Sequence, residues 1–152
     1  MRARDLLTPY PAVSVDDEAM DALRLVSTQR LPALLVVDSD GRPYAIVAVA
    51  HLVGRLVPDF VRQDPVLAAV IGDRFDVDAR ESAIGTTIGA WLPHNRVRPP
   101  VVGPDAAPMQ IAALLDRTQS PLVVVIEQQG DTTRLLGAVT PVSLLDHFVR
   151  GS

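Results

Sequence analysis

The chain repeats one apolar phrase: Leu34-Leu35-Val36-Val37-Asp38 returns about ninety residues later as Leu122-Val123-Val124-Val125-Ile126. Each run is short and continuously apolar, which is typical of a strand covered on both faces. A helical pattern precedes both runs, and a polar turn follows them, Asp38-Ser39-Asp40-Gly41 in one copy and Gln128-Gln129-Gly130-Asp131 in the other. One duplication at this spacing predicts two similar halves and not a solenoid, which requires several repeats.

Each copy is predicted to have the order strand, helix, strand, strand, helix. In the first copy, Asp16-Asp17-Glu18 precedes apolar residues at three-to-four spacing, which predicts a helix over residues 17–29. Residues 44–49 return as the hairpin partner of the buried strand, and an apolar helix then runs to Pro58. We interpret the three acids as cap and dipole partners in preference to a metal or acid–base site. The predicted fold class is α/β (α+β), with two β-α-β-β-α repeats.

A mixed-charge stretch with little periodicity, residues 59–85, separates the two copies and contains one further helical pattern. Thr86 or Thr87 is positioned to cap a short helix at the start of the second copy. Pro104 or Asp105 is predicted to start the next helix. The predicted domains are a first repeat at 1–58, an inter-repeat helix and linker at 59–85, and a second repeat at 86–152.

Composition argues against several classes of function. The formal net charge of −4 argues against nucleic-acid binding, because phosphate backbones require clustered Lys and Arg. Cysteine is absent, which excludes disulfides and thiolate chemistry and favours a reducing cytoplasm. No signal-peptide pattern follows the N-terminal arginines, and the longest apolar runs are too short to span a membrane. We therefore expect a cytoplasmic protein that does not insert into membranes.

None of the familiar local motifs of catalysis occurs in the sequence. It lacks the Gly-x-Ser-x-Gly elbow, the phosphate loop that ends in Gly-Lys and the His-Glu-x-x-His zinc motif. Lysine is absent, which excludes Schiff-base chemistry. The histidines, His51, His94 and His147, have no further ligands at metal-binding spacing. We expect a protein that is not an enzyme, holds no metal and acts through a cleft between its halves.

The doubled pattern resembles tandem CBS domains over nearly the whole chain. The resemblance rests on Leu6-Leu7-Thr8-Pro9 before a valine-rich strand, on the strand that ends in Val37-Asp38, and on Gly137-Ala138-Val139-Thr140 followed by Pro141-Val142-Ser143. It implies a CBS pair, or Bateman module, whose repeats are related by a pseudo-twofold axis and leave clefts where they meet. It also implies AMP, ADP, ATP or S-adenosylmethionine as regulatory ligands, homodimers formed through the helices, and an effector protein of unknown identity.

In that family a Ser or Thr ends the return strand, and an Asp three residues later accepts hydrogen bonds from the ribose hydroxyls. The resemblance implies that Ala48 and His51 take these positions in the first repeat, and Thr140 and Ser143 in the second. The carboxylate is therefore missing from both repeats, although a neutral His51 can accept one hydroxyl bond and a protonated one can meet phosphate. Losing a charge-assisted bond lowers affinity about tenfold to a hundredfold, so standard adenosine recognition is altered in both clefts.

The resemblance also implies binding residues in the two helix-to-strand loops, which flank the base and the phosphates in relatives. The candidates in these loops are Arg30, Pro32, Leu34, Arg117, Ser120 and Pro121. A local basic stretch adds Arg96 and Arg98 as candidate partners of one small phosphate. Each arginine has the alternative role of a solvated loop residue.

Two functions fit the sequence. The first is a stand-alone cytoplasmic regulatory module that binds an adenine nucleotide or S-adenosylmethionine in an inter-repeat cleft and signals to a partner by conformational change. The second is a ligand-silent dimerisation and docking scaffold, favoured by the lost acid and by apolar helix residues around Leu52 and Leu56. A cleft filled by Leu35 or Tyr44 would favour the scaffold. Gly151-Ser152 has two interpretations, native residues or a remnant of cloning.

Overall fold

The computed structural model describes residues 1–71, 73, 75–93 and 97–151. In chain order these residues form α1 (Ala3–Leu6), β1 (Ala12–Ser14), α2 (Ala19–Gln29), β2 (Ala33–Val37), β3 (Pro43–Ala48), α3 (Val49–Arg55), α4 (Asp59–Gln63), α5 (Val66–Ile71), α6 (Asp76–Glu81), α7 (Ile88–Trp91), β4 (Val101–Val102), α8 (Pro108–Thr118), β5 (Val123–Gln129), β6 (Thr132–Val139) and α9 (Pro141–Arg150). The predicted order occurs twice, as β1-α2-β2-β3-α3 and as β4-α8-β5-β6-α9. The mixed α/β class with two β-α-β-β-α repeats is therefore confirmed.

The two repeats contain three-stranded sheets of the same topology, β1-β2-β3 and β4-β5-β6. The first two strands of each sheet are parallel, because the helix between them returns the chain to the same end of the sheet. The last two strands of each sheet form an antiparallel hairpin. Both hairpins shift register at equivalent points, between Val36 and Val37 and between Val125 and Ile126. The duplication thus extends to the details of strand pairing.

The first helix of each repeat begins later than predicted. Helix α2 begins at Ala19 and not at Asp17, and α8 begins at Pro108. The predicted start of α8 at Pro104 or Asp105 is therefore wrong. The reason is tertiary, because backbone carbonyls just before each helix accept hydrogen bonds from a short helix that belongs to the other repeat in sequence.

The short helices α1 and α7 are exchanged between the repeats. Helix α1 precedes the first repeat but packs into the core of the second, and α7 precedes the second repeat but packs into the core of the first. Their hydrogen bonds are equivalent: the Ala3 amide donates to the Ala106 carbonyl at 2.8 Å, and the Ile88 amide donates to the Asp17 carbonyl at 2.7 Å. This exchange has the symmetry of a pseudo-twofold axis and ties each repeat to the other.

The segment after each exchanged helix pairs with the return strand of the other repeat. Thr8 and Ala138 on β6 exchange two backbone hydrogen bonds, each 3.0 Å long. At the equivalent position of the first repeat, the Ile46 amide on β3 donates to the Val97 carbonyl at 3.3 Å. Gly137 permits the first pairing, because a Cβ at this position would collide with the Thr8 carbonyl oxygen.

An apolar seam joins the two sheets. Each repeat has its own core, and a third cluster lies between them. The buried members of this seam come in equivalent positions from the two repeats: Ala33, Leu35, Ile46, Leu122, Val124 and Ala138. Tyr10 packs against the seam, and its hydroxyl donates to the Ala33 carbonyl at 2.6 Å. Burial raises the pKa of the Tyr10 phenol, because desolvation disfavours the phenolate.

The linker region contains the short helices α4, α5 and α6, with no buried residue in any of them. Phe60 and Phe75 form an edge-to-face pair with ring centroids 5.3 Å apart. Thr87 caps α7 as predicted, since its hydroxyl oxygen accepts from the Ala90 amide at 3.2 Å. The domain division at 1–58, 59–85 and 86–152 stays a prediction. Within the described ranges, no helix combines the length and apolar character needed to cross a bilayer.

Candidate functional site

A cleft of about 390 Å³ lies where the two repeats meet, and we call it the seam cleft. The first repeat contributes Ile46, Ala48 and His51, from the end of β3 and the start of α3. The second repeat and the connection into it supply the remaining lining residues, Val97, Arg98, Pro100, Leu114, Thr118, Gln119, Ser120 and Pro121. Both repeats therefore shape one site, and its volume falls in the range of small-molecule sites.

Two sharp changes in backbone direction position the polar residues of the cleft. Ala48 is the N-cap of α3 with an extended backbone, so the chain turns there from strand to helix and His51 follows within the first turn. Gln119 ends α8 in the left-handed conformation, with φ of 53°, and Arg30 has the same conformation at the equivalent position after α2. This conformation is strained for residues other than Gly. In the second repeat it turns the chain so that Gln119 and Ser120 line the cleft.

The hydroxyl groups of the α8–β5 loop are engaged within the loop. Thr118 Oγ1 donates to the Leu114 carbonyl at 2.8 Å, and Ser120 Oγ donates to the Leu122 carbonyl at 2.8 Å. A hydroxyl has a single hydrogen to donate. Thr118 and Ser120 can therefore offer a ligand only the lone pairs of their oxygens.

The ionisable side chains of the lining are basic. His51 and Arg98 are exposed, and neither has a hydrogen-bond or ion-pair partner among the described residues. No Asp or Glu from the described part of the chain lines the cleft, although the whole chain has a net charge of −4. A cleft with apolar walls and one sign of charge concentrates ligands of the opposite sign. The seam cleft therefore suits an anion with an apolar body.

Comparison with known proteins agrees with this architecture. The CBS domain family model matches residues 3–58. The solved structure of a CBS domain-containing protein of unknown function from Kribbella flavida DSM 17836 is 32% identical, with 98% of this chain and 99% of that chain covered and a TM-score of 0.87. The chain belongs to the CBS-domain family. The resemblance to a tandem CBS pair, inferred above from the doubled pattern, is confirmed.

Other CBS structures are more distant in sequence. The structure of CBSX2 in complex with AMP is 19% identical, with a TM-score of 0.65 over 98% of this chain and 96% of that one. The CBS domains of a transcriptional regulator from Streptococcus pneumoniae are 18% identical, with a TM-score of 0.62 over 96% of this chain and 98% of that one. At these identities the likeness concerns the fold alone. No match was found among curated proteins.

The seam cleft of this CBS pair brings together a subset of the predicted site residues, Ala48, His51, Arg98, Ser120 and Pro121. Arg30 and Pro32 lie elsewhere, in a groove of about 590 Å³ between α2 and α3. The equivalent loops of the two repeats therefore face different surfaces. Only the loop of the second repeat reaches the cleft that contains His51.

Two further predicted residues, Leu34 and Arg117, do not line the seam cleft, and a third lies outside the described residues. Leu34 is buried in the core of the first repeat, with 1% of its surface exposed. Arg117 is exposed in the last turn of α8 and is not part of the lining. Arg96 lies outside the described residues.

Thr140 and Ser143 bond to each other at the start of α9. Thr140 Oγ1 accepts from the Ser143 amide at 3.2 Å, and Ser143 Oγ donates to the Thr140 carbonyl at 3.0 Å. The two hydroxyl oxygens are 3.2 Å apart. The hydroxyl that the resemblance implies for ribose binding thus caps a helix in this structure, and both residues lie outside the lining of the seam cleft.

Several lining residues were not predicted from the sequence: Ile46, Val97, Pro100, Leu114, Thr118 and Gln119. Thr118 and Gln119 lie next to Ser120, which was predicted from its place in the helix-to-strand loop, so the same reasoning could have included them. Val97 carries no such signal, because its place depends on the hydrogen bond from Ile46 in the other repeat. No group of three His, Asp or Glu side chains in the described ranges could hold a metal ion.

Proposed function

We propose that this CBS pair is a cytoplasmic regulatory module, and that an adenine nucleotide or S-adenosylmethionine binds in its seam cleft. The observation that carries the proposal is that both repeats line the same cleft. A ligand there bridges His51 of the first repeat and Ser120 of the second. Because its affinity depends on how the repeats are arranged, binding favours the arrangement that fits it best.

AMP is the ligand that the lining favours. The apolar side chains of Ile46, Leu114 and Pro121 suit an aromatic base, and Arg98 suits a phosphate. A structural relative of the chain, CBSX2, has been solved in complex with AMP. S-adenosylmethionine carries a positive sulfonium group, which suits the basic lining less well.

The proposed signal passes from the cleft through α3 to α7. Arg55 at the end of α3 donates from Nε to the Trp91 carbonyl at 2.8 Å, and its guanidinium carbon lies 5.6 Å from the centroid of the Trp91 ring. His51 lies one turn earlier on the same helix. A ligand that displaces α3 therefore displaces α7, the helix from which the chain continues into the second repeat. An effector protein then reads the changed surface.

Isothermal titration calorimetry of the full chain with AMP, ATP and S-adenosylmethionine tests the proposal. We expect AMP to bind the wild type and to bind Ala48→Phe much more weakly, because the larger side chain occupies the cleft. Val53→Phe is the matched control, since Val53 lies on α3, which begins directly after Ala48, but is 57% exposed and lines the groove between α2 and α3 instead of the seam cleft. Circular dichroism verifies that both variants fold. Flat titrations of the wild type with all three ligands would reject nucleotide sensing.

A ligand-silent dimerisation and docking scaffold is the second candidate function. It is favoured by α9, on which Val142, Leu145 and Val149 are 62% to 75% exposed. Apolar side chains grouped on one helix are typical of a surface that is covered in an assembly. Leu35 and Tyr44, whose presence in the cleft would have favoured this function, are not part of the lining. The scaffold function is therefore supported by the exposed surface of α9 and by the carboxylate that is missing from the described lining of the cleft.

Light scattering at micromolar concentration tests the proposed homodimer. We expect the mass of a dimer for the wild type and the mass of a monomer for Leu145→Glu, because the new charge cannot be buried without a partner. Asp146→Glu, a neighbouring exposed position that already carries an acid, serves as the control and should remain dimeric. A wild type with monomer mass would contradict assembly through α9.

A further inference from the structure

Among the described residues, the seam cleft is lined by basic side chains and by no acidic one. His51 and Arg98 line it, and no carboxylate from the described residues does so. Neither His51 nor Arg98 is engaged by another side chain or carbonyl in the described part of the chain. Their donor groups are available to a ligand.

The cleft is poorly equipped to recognise ribose hydroxyls. A vicinal diol donates two O–H groups, and an ionised carboxylate is the strongest acceptor for them. The side-chain oxygen acceptors that remain here are neutral: the hydroxyl oxygens of Thr118 and Ser120 and the amide oxygen of Gln119, whose Nε2 donates to the Asp116 carbonyl. A neutral hydrogen bond changes affinity by about tenfold at most, whereas a charge-assisted bond changes it by about tenfold to a hundredfold.

We propose that the seam cleft selects its ligand through a phosphate anion and not through ribose hydroxyls. This inference rests on the proposed function and deepens it by naming the ligand class as adenine 5′-monophosphates, with or without their 2′ and 3′ hydroxyls. Arg98 contributes more than His51 to the affinity for phosphate, because a planar guanidinium can donate hydrogen bonds to two phosphate oxygens at once. Adenosine has no phosphate, so it cannot accept these hydrogen bonds and binds more weakly.

Calorimetry with AMP, 2′,3′-dideoxyadenosine 5′-monophosphate and adenosine tests the selection. We expect the affinities of the two monophosphates to differ by less than about tenfold, and adenosine to bind at least about tenfold more weakly than AMP. Arg98→Gln should lower the affinity for AMP by about tenfold or more. Arg117→Gln removes another exposed arginine, one that does not line the cleft, and it should leave the affinity unchanged. Adenosine that binds as tightly as AMP, or a dideoxy compound that binds tenfold more weakly or worse, would overturn the inference.

A second arm separates failure of the inference from failure of the proposed function. Inorganic phosphate is titrated into the full chain while NMR follows the ring signals of His51 and the Nε–H signal of Arg98. Shifts at both residues, with flat calorimetry for AMP, would show an anion site in the cleft but would reject nucleotide sensing and the adenine 5′-monophosphates named as its ligands. AMP binding that Arg98→Gln leaves unchanged would retain nucleotide sensing and overturn anion selection. Absence of any response to phosphate and to AMP would overturn both.

Discussion

Replacing Gly137 by Ala tests the exchange of segments between the repeats. A Cβ at this position would overlap the Thr8 carbonyl oxygen and lie 3.1 Å from Leu7 Cδ1. To relieve the overlap, Thr8 must move away from β6, which breaks the two 3.0 Å hydrogen bonds that it exchanges with Ala138. Each bond contributes about 0.5–1.5 kcal/mol, so the free energy of unfolding should fall by about 2 kcal/mol in Gly137→Ala.

Thermal unfolding followed by circular dichroism measures this loss. In a domain of this size 1 kcal/mol shifts Tm by about 2–4 °C, so Gly137→Ala should lower Tm by about 4–8 °C. Hydrogen exchange should also show faster exchange of the Thr8 and Ala138 amides, because their mutual bonds are lost.

Gly54→Ala is the matched control for Gly137→Ala. Gly54 lies in α3, and a Cβ there has no neighbouring atom within 4 Å. Alanine is favoured over glycine in a helix, so this variant should gain about 0.5–1 kcal/mol. Equal Tm values for the two variants, or a Gly137→Ala protein as stable as the wild type, would refute the close approach of Thr8 to β6.

Three further perturbations have defined outcomes. Burial raises the folded-state pKa of Tyr10 above its unfolded value of about 10, so the folded state retains the proton longer and stability should fall as pH rises from 9 to 11. Urea unfolding at both pH values should show a smaller fall in Tyr10→Phe, and an equal fall would contradict this account. Thr140→Ala should cost about 1 kcal/mol in urea unfolding, because the cap of α9 is lost, whereas Thr132→Ala should cost less because Thr132 caps no helix. His51→Asp adds a carboxylate to the seam cleft, which can accept hydrogen bonds from the ribose hydroxyls. In calorimetry this variant should bind AMP about tenfold or more tightly than the dideoxy analogue. An unchanged ratio of the two affinities would contradict this prediction.

The start of α8 illustrates why local patterns were insufficient for some elements. Asp105 has suitable cap chemistry, although Pro108 is a competing local signal because proline favours the first position of a helix. The Ala3 amide nevertheless bonds to the Ala106 carbonyl, so this stretch serves α1 and the helix begins at Pro108. These two hydrogen-bonding residues are about a hundred positions apart, so the apolar pattern of the nearby sequence does not predict their contact.

The candidate site was predicted in part for a related reason. His51 and Ser120 were predicted because the resemblance to CBS pairs implies binding residues at the start of the last helix of a repeat and in its helix-to-strand loop. Val97 was not predicted, since its position follows from a hydrogen bond to β3 of the other repeat. Arg30, which occupies the position equivalent to Gln119, was assigned to a site but lines the groove between α2 and α3.

Apolar periodicity and turn residues along the chain were enough to predict the β-α-β-β-α order of each repeat and the duplication, and the phrases that accompany them carried the resemblance to CBS pairs. These features depend on which side chains are buried within a window of about ten consecutive residues. The cleft depends instead on the seam, where Leu35 and Val124 are buried between two sheets that are distant in sequence. Burial of that seam fixes how the repeats meet, and so it brings His51 and Arg98 into the lining of one cleft while Thr140 remains a helix cap.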